Sequence, residues 1–405
     1  MKRDYPSVFV TAKAERSLRG GHPWVYAEEA TAIDGEYQNG ELVDVFTSKN
    51  KYLGTGFIND RSKILVRLIS RNANDKFDRA FYERRVRYAL EYRKTVMGED
   101  LSCCRLIFGE ADCFPGFTVD RFNDVLVTQV LSLGIEKIKD MLYELLVAEL
   151  EKMGERISAV YERNDVKIRE LEGMEQYKGF WKGSGEKLSG VTEIVENGLK
   201  YSVDYINGQK TGFFLDQKYN RAVIRRIAKG RTVLDCFTHT GAFALNAAAA
   251  GAKLVNAVDI SEAAIEMTKN NARLNGLTEN MQFTCANVFD LLTELYKSGS
   301  CPYDFIILDP PAFTKSKSTV KDAFRGYKEI NLKAMRLLNR GGYLATCSCS
   351  HFMTEPLFKQ MLHDAAADAD VSLRQIEARR QSPDHPILWN VPETDYLKFF
   401  IFQVV

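Results

Sequence analysis

The chain has no long apolar run: nowhere in its 405 residues do about 18 consecutive apolar side chains occur, which excludes a membrane-spanning helix. The opening MKRDYPSVFV has no apolar core of the kind a secretion signal carries, so the expectation is a cytoplasmic protein without a membrane partner. Histidine is scarce, five in all, and the eight cysteines include no Cys-x-x-Cys. The adjacent Cys103 and Cys104 and the Cys347-x-Cys349 pair suit neither a disulfide framework nor a zinc site, so no metal is expected. A charge of one sign is missing too: 55 Lys and Arg stand against 54 Asp and Glu, a net of +1, which excludes a uniformly basic nucleic-acid binder.

Neutrality of the whole conceals a local excess. From Arg61 to Lys94 there are eleven basic residues against four acidic ones, a net of +7, so the rest of the chain sums to −6. A phosphate backbone could lie on such a strip, although part of it also reads as a solvated helix face.

At 405 residues the chain is long enough for about two to four domains. The first 75 or so read as short strands between turns, as in a small barrel: Leu42 to Phe46, Tyr52 to Ile58 and Ile64 to Ile69 are β-rich. Residues 76–190 read as α+β. Phe77 to Met97 is a helix by the spacing of Phe77, Phe81, Tyr88 and Tyr92, with Gly98 to stop it. Phe117 to Val119 and Val125 to Leu131 make a hairpin, Ile135 to Met153 a helix and Ile157 to Glu162 a strand, and the glycine-rich Lys178 to Gly190 is a loop or linker.

From 191 to 405, and most clearly after 231, strand and helix patterns alternate. Thr232–Phe237, Leu254–Asp259, Gln282–Ala286, Phe305–Asp309 and Gly342–Cys347 are strands, and Val371–Ala378 with Tyr396–Val405 closes the sheet. The fold class is therefore α/β, a Rossmann-like sheet of about seven strands, preceded by the small barrel and the α+β segment.

In such sheets ligands sit beyond the carboxyl ends of the strands, so the residues ending each strand carry the information. The first strand runs into Asp235-Cys236-Phe237-Thr238-His239-Thr240-Gly241, a turn that opens a helix. The second ends in Asp259, whose carboxylate can accept both hydroxyls of a ribose, or alternatively serve a helix start capped by Ser261. The third ends near Asn287, suited to an adenine edge, and the fourth in Asp309-Pro310-Pro311, which fixes a carboxylate at the rim. The turn lacks the three glycines of a dinucleotide fingerprint, which argues against NAD.

This set resembles the class I S-adenosylmethionine-dependent methyltransferases. The resemblance narrows with Gln209-Lys210-Thr211-Gly212-Phe213-Phe214-Leu215-Asp216-Gln217, Arg221, Asp309-Pro-Pro-x-Phe313, Arg325 to Asn331, Ser348-Cys349-Ser350 and Asp384-His385-Pro386. Together with His22-Pro23-Trp24-Val25-Tyr26 and Gly109-Glu110-Ala111-Asp112, these resemble the RlmI-type ribosomal RNA large subunit methyltransferases, which form 5-methylcytidine and carry an N-terminal RNA-binding PUA domain.

The resemblance implies S-adenosylmethionine as cofactor, large-subunit ribosomal RNA as substrate and a homodimer. It implies cofactor contacts from Lys210, Gln217, Arg221, Asp235, Phe237, Thr238, Thr240, Gly241, Asp259, Ile260, Asn287, Val288 and Asp309. Carbon 5 of cytosine needs covalent activation, a thiolate adding to carbon 6, and the resemblance gives that role to Cys349 with Asp309 orienting the base. Cys347, two residues earlier, competes for the role; its plainer reading is a small buried hydrophobe. Two alternatives stand beside this one. An exocyclic-amine methyltransferase would want an aromatic directly after Pro-Pro, where this chain has Ala312, with Phe313 one later; a catalytically inactive RNA-binding or assembly protein would bind no cofactor.

Overall fold

The computed structural model describes residues 4–183, 185, 188–299, 301–314 and 316–405. The chain forms two compact units that interleave in sequence: one from 1–192, 203–215 and 383–394, the other from 193–202, 216–382 and 395–405.

The first unit holds two sheets. Six strands order as Trp24–Tyr26, Ile64–Ser70, Tyr52–Ile58, Leu42–Thr47, Ser7–Val10 and Ala30–Asp34, around a core of Val8, Val10, Val43, Val45, Ile58 and Val66. Ser7–Val10 pairs parallel to Leu42–Thr47, a long-range pairing that local pattern does not announce. Five strands order as Tyr177–Phe180, Ala159–Asn164, Val125–Val130, Phe117–Phe122 and Cys103–Phe108, accompanied by helices Arg79–Met97 and Leu133–Lys152. The glycine-rich stretch begins as the strand Tyr177–Phe180; its residues 184, 186 and 187 lie outside the described residues.

The helix at 79–97 is where the aromatic spacing puts it, capped by Asp78 and stopped by Gly98 at φ 54°. Its buried face takes only part of that series: Phe81 is buried with Tyr82, Val86, Ala89, Leu90, Arg93 and Met97, while Tyr88 and Tyr92 are exposed. A shared stripe at helical spacing says which residues lie together, not which side meets a neighbour.

The basic strip also divides. Arg67 pairs with Glu172 at 2.7 Å, and Arg93, with no solvent exposure, is bidentate on Asp112 while donating to the carbonyls of Arg105 and Asp384 at 2.9 Å each. Arg61, Lys63, Arg71, Lys76, Arg79, Arg87 and Lys94 are exposed. An Arg93→Met substitution leaves the Asp112 carboxylate deprived of its buried partner, and urea unfolding should register a loss of about 3–5 kcal/mol.

The second unit is built on seven strands, Thr232–Cys236, Leu254–Asp259, Met281–Cys285, Phe305–Leu308, Tyr343–Ser348, Leu373–Arg379 and Lys398–Val404. Numbered in that order they run 3-2-1-4-5-7-6 across the sheet, all parallel except the last, which is antiparallel to both its neighbours. The central strands are buried along their length, as parallel strands covered on both faces must be. Chain order reverses between the first and fourth strands, and the crevice beyond their carboxyl ends is where this topology takes a ligand. The expected α/β architecture is present.

Candidate active site

Left-handed backbone shapes the turn after the first strand: Phe237, His239 and Gly241 have φ of 64°, 50° and 80°. Two non-glycine residues in that conformation are strained and are held there by explicit bonds. The Thr238 amide donates to the Val258 carbonyl at 2.9 Å, the His239 amide to Asp259 Oδ2 at 3.0 Å, and the Gly241 amide to the Thr238 carbonyl at 2.8 Å. Asn271 Nδ2 donates to the Thr240 carbonyl at 2.9 Å from helix Glu262–Leu274, which follows the second strand. Gly241 admits no side chain, since a Cβ there would lie 2.5 Å from Thr268 Cγ2.

Asp235, 1% exposed, heads the site. Its Oδ2 accepts from Thr238 Oγ1 at 2.6 Å and from the Ala244 amide at 2.9 Å, while Oδ1 is buried with no hydrogen-bond partner. Burial, with the Asp309 charge adding to it, pushes the carboxyl up to about 7. A buried acceptor without a donor suits a ligand that brings a cation or an N–H group.

Asp259 accepts the His239 amide on one oxygen and the Ser261 amide on the other, each at 3.0 Å, so the carboxylate is fixed at the rim with lone pairs to spare. The helix-start reading of this position is seen directly, since Ser261 caps the next helix by accepting from Ala264. Ile260, 69% exposed, follows it. Asn287 is exposed and caps helix Val288–Ser298, its oxygen accepting from the Phe289 amide at 2.9 Å, and Val288 is buried beneath.

Asp309 is half-buried after the fourth strand and accepts from Gln217 Nε2 at 3.1 Å. Burial and the neighbouring Asp216 raise it to about 6. Cys347 has no exposure, and burial, with the Asp309 charge adding to it, pushes its thiol well above the ordinary range. Arg221 is bidentate on the buried Glu196, at 2.8 and 3.0 Å. Lys210 belongs to the other compact unit, where its ammonium lies over the Phe214 ring at 4.7 Å.

Cys349 is half-buried one residue beyond the fifth strand. Its two serine neighbours grip one hydroxyl: Ser348 Oγ donates to the Tyr327 hydroxyl at 3.1 Å, and Ser350 Oγ lies 3.2 Å from it. Tyr327 was legible only as part of a motif. Lys398, opposite Ser348 in the antiparallel pair and 3% exposed, donates to the Ser350 carbonyl at 2.6 Å, and sequence reasoning passed over it entirely. Its one signal is a charge heading the apolar run Phe399-Phe400-Ile401-Phe402.

A sequence profile of S-adenosylmethionine-dependent methyltransferases matches residues 105–403, and one of PUA-like domains matches 8–71. The Ribosomal RNA large subunit methyltransferase I of Pseudoalteromonas translucida (strain TAC 125) is 40% identical over 401 residues, 98% of this chain and 99% of its own. The chain belongs to that methyltransferase family. The enzyme of the same name from Aliivibrio fischeri (strain MJ11) is 39% identical over the same shares. Among solved structures, a candidate S-adenosylmethionine-dependent methyltransferase of Streptococcus mutans superimposes with a TM-score of 0.82 at 23% identity, over 98% of this chain and all of that one. Another, a candidate methyltransferase complexed with SAH, gives 0.83 at 23% identity over the same shares.

S-adenosylmethionine is thus the cofactor of this methyltransferase, and its residues fit that molecule. The unsatisfied Asp235 Oδ1 meets a need for an ammonium group, Asp259 a need for a diol acceptor, and the exposed Ile260 and Asn287 offer an apolar surface and an amide.

Proposed function

We propose that the protein methylates carbon 5 of a cytidine in large-subunit ribosomal RNA, through a covalent adduct on Cys349, in the cytoplasm and as a homodimer. The observation that carries the reading is a neighbourhood: Cys349, a half-buried thiol, follows the strand that lies beside the one leading into Asp309.

S-adenosylmethionine supplies an electrophilic methyl group when bound. The Cys349 thiolate adds to carbon 6 of the cytosine, its electron pair forming the S–C bond as the ring's 5,6 double bond gives density to carbon 5. Asp309, held up to about 6, is poised to share a proton with the ring nitrogen and orient the exocyclic amine as that density develops. Once carbon 5 carries the methyl group, loss of its proton expels the sulfur and restores the ring. Cofactor contacts are assigned to Asp235, Phe237, Thr238, Thr240, Gly241, Asp259, Ile260, Asn287, Val288 and Asp309, with Gln217 and Arg221 kept as contributors at its methionine end.

Transfer to an exocyclic amine is disfavoured by Phe313. Its ring packs 4.5 Å from Tyr327 and 5.9 Å from Phe289, committed to the core rather than offered to a flipped base. Bisulfite sequencing of ribosomal RNA from a deletion strain tests the whole reading: one 5-methylcytidine should vanish from the large subunit, and an unchanged pattern would refute it.

In this reading residues 1–75 grip structured RNA, 76–190 extend the grip through the basic helix, and 191–405 perform the chemistry. The exposed Arg87 and Lys94 then contact phosphates. Replacing both by Gln should lower the slope of log affinity against log salt by about 1.5, as measured by filter binding at several ionic strengths.

A further inference from the structure

The buried lysine beside the nucleophile has no part in the reading so far. Lys398 opens the last strand opposite Ser348, and its ammonium donates to the Ser350 carbonyl at 2.6 Å and the Tyr396 carbonyl at 2.8 Å. An ammonium has three N–H donors, and two carbonyls take two of them. The Ser350 carbonyl is next in the chain to Cys349, so the ammonium is tied directly to the cysteine loop, and the Tyr396 carbonyl holds it there from its own strand's approach.

We propose that Lys398 is a positioning residue that holds Cys349 as its thiolate and aims it; the proposal rests on Cys349 being the nucleophile. A buried cation is expensive to keep without an anion, and the surroundings show which anion serves. Arg380 is already matched by Glu355 and by Asp395 at 3.0 Å, so the nearest carboxylates are engaged. Tyr327, on the opposite side of the loop, is a buried phenol held neutral by burial, and Cys347 is a buried thiol pushed upward. Of the acidic groups that act on Lys398, Glu355 and Asp395 hold Arg380, and Cys349 is a half-exposed thiol on the loop that the ammonium binds. Burial lowers Lys398 itself to about 8, and a thiolate neighbour opposes that fall, so each charge supports the other near neutral pH.

The test is the pH dependence of iodoacetamide alkylation at Cys349 in the full-length protein, read peptide by peptide by mass spectrometry. In wild type the midpoint should lie at least about one pH unit below the ~8.5 of an ordinary thiol. Lys398→Met should raise it by about one unit, slowing alkylation at pH 7 about tenfold, and Lys398→Arg should restore it. A purely structural lysine would not move this profile. A wild-type midpoint at the ordinary value overturns the proposal, whether or not the Met variant folds, and so does an unchanged midpoint in a folded Lys398→Met protein. Alkylation needs neither RNA nor cofactor. Failure of the nucleophile assignment is therefore seen separately, as trapping on 5-fluorocytidine RNA that survives loss of Cys349.

Discussion

Cys349→Ala should abolish methyl transfer and, with it, the denaturation-resistant complex that RNA containing 5-fluorocytidine forms with the wild-type protein. Fluorine at carbon 5 cannot leave as a proton does, so the enzyme stays joined to carbon 6 by its sulfur. Loss of a covalent nucleophile should cost at least about 10⁴-fold in rate, and no neighbouring group can replace it. Cys347→Ala is the telling companion. Cys347 is fully buried and lies within the field of Asp309, so its removal should disturb the carboxylate and slow turnover while leaving trapping intact. A gel-stable complex formed by the Cys349→Ala protein, or lost in the Cys347→Ala protein, would transfer the role to the inner cysteine.

Asp235→Asn should move cofactor affinity and apo-protein stability in opposite directions. In the folded chain the carboxyl is raised to about 7 from an ordinary 3.8, so the unfolded state gives up its proton first. Between those values the unfolded chain binds fewer protons, and apo stability falls with rising pH by about 4 kcal/mol from this group. Asn removes that penalty, and the melting temperature of the apo protein at pH 8 should not drop. Titration calorimetry should show the reverse for S-adenosylmethionine: an affinity loss of at least about 100-fold, because a buried charge partner has gone. In wild type the affinity should weaken about tenfold per unit as pH falls below about 7, since the carboxylate is the binding form. A pH-independent affinity between pH 5 and 8, or a variant that binds like wild type, would exclude Asp235 as the ammonium partner.

Much of this site could be read from strand ends alone. Asp235, Asp259 and Asp309 each follow an apolar β run, and a carboxylate at that point has few structural reasons to exist, so pattern and chemistry coincide. The closing antiparallel pair and the seven-strand count were legible for the same reason. Lys398 was not. A lysine before Phe399 reads as an ordinary polar boundary, and only the register Ser348 opposite Lys398 buries it beside the cysteine loop. Such pairing joins residues 50 apart and leaves no local mark. The helix with Phe81, Tyr88 and Tyr92 was legible as a helix, but the period alone does not say that Phe81 packs inward while Tyr88 and Tyr92 stay exposed, since partners elsewhere in the chain choose the face.

The place of the final strand has a consequence for how the site is kept whole. Lys398–Val404 lies between Tyr343–Ser348 and Leu373–Arg379, not at an edge, so those two strands have no sheet neighbour on that side until it arrives. The wall of the pocket that carries Cys349 is therefore completed only by a pairing between residues 50 apart, and any condition that frays this strand exposes the edge beside the cysteine.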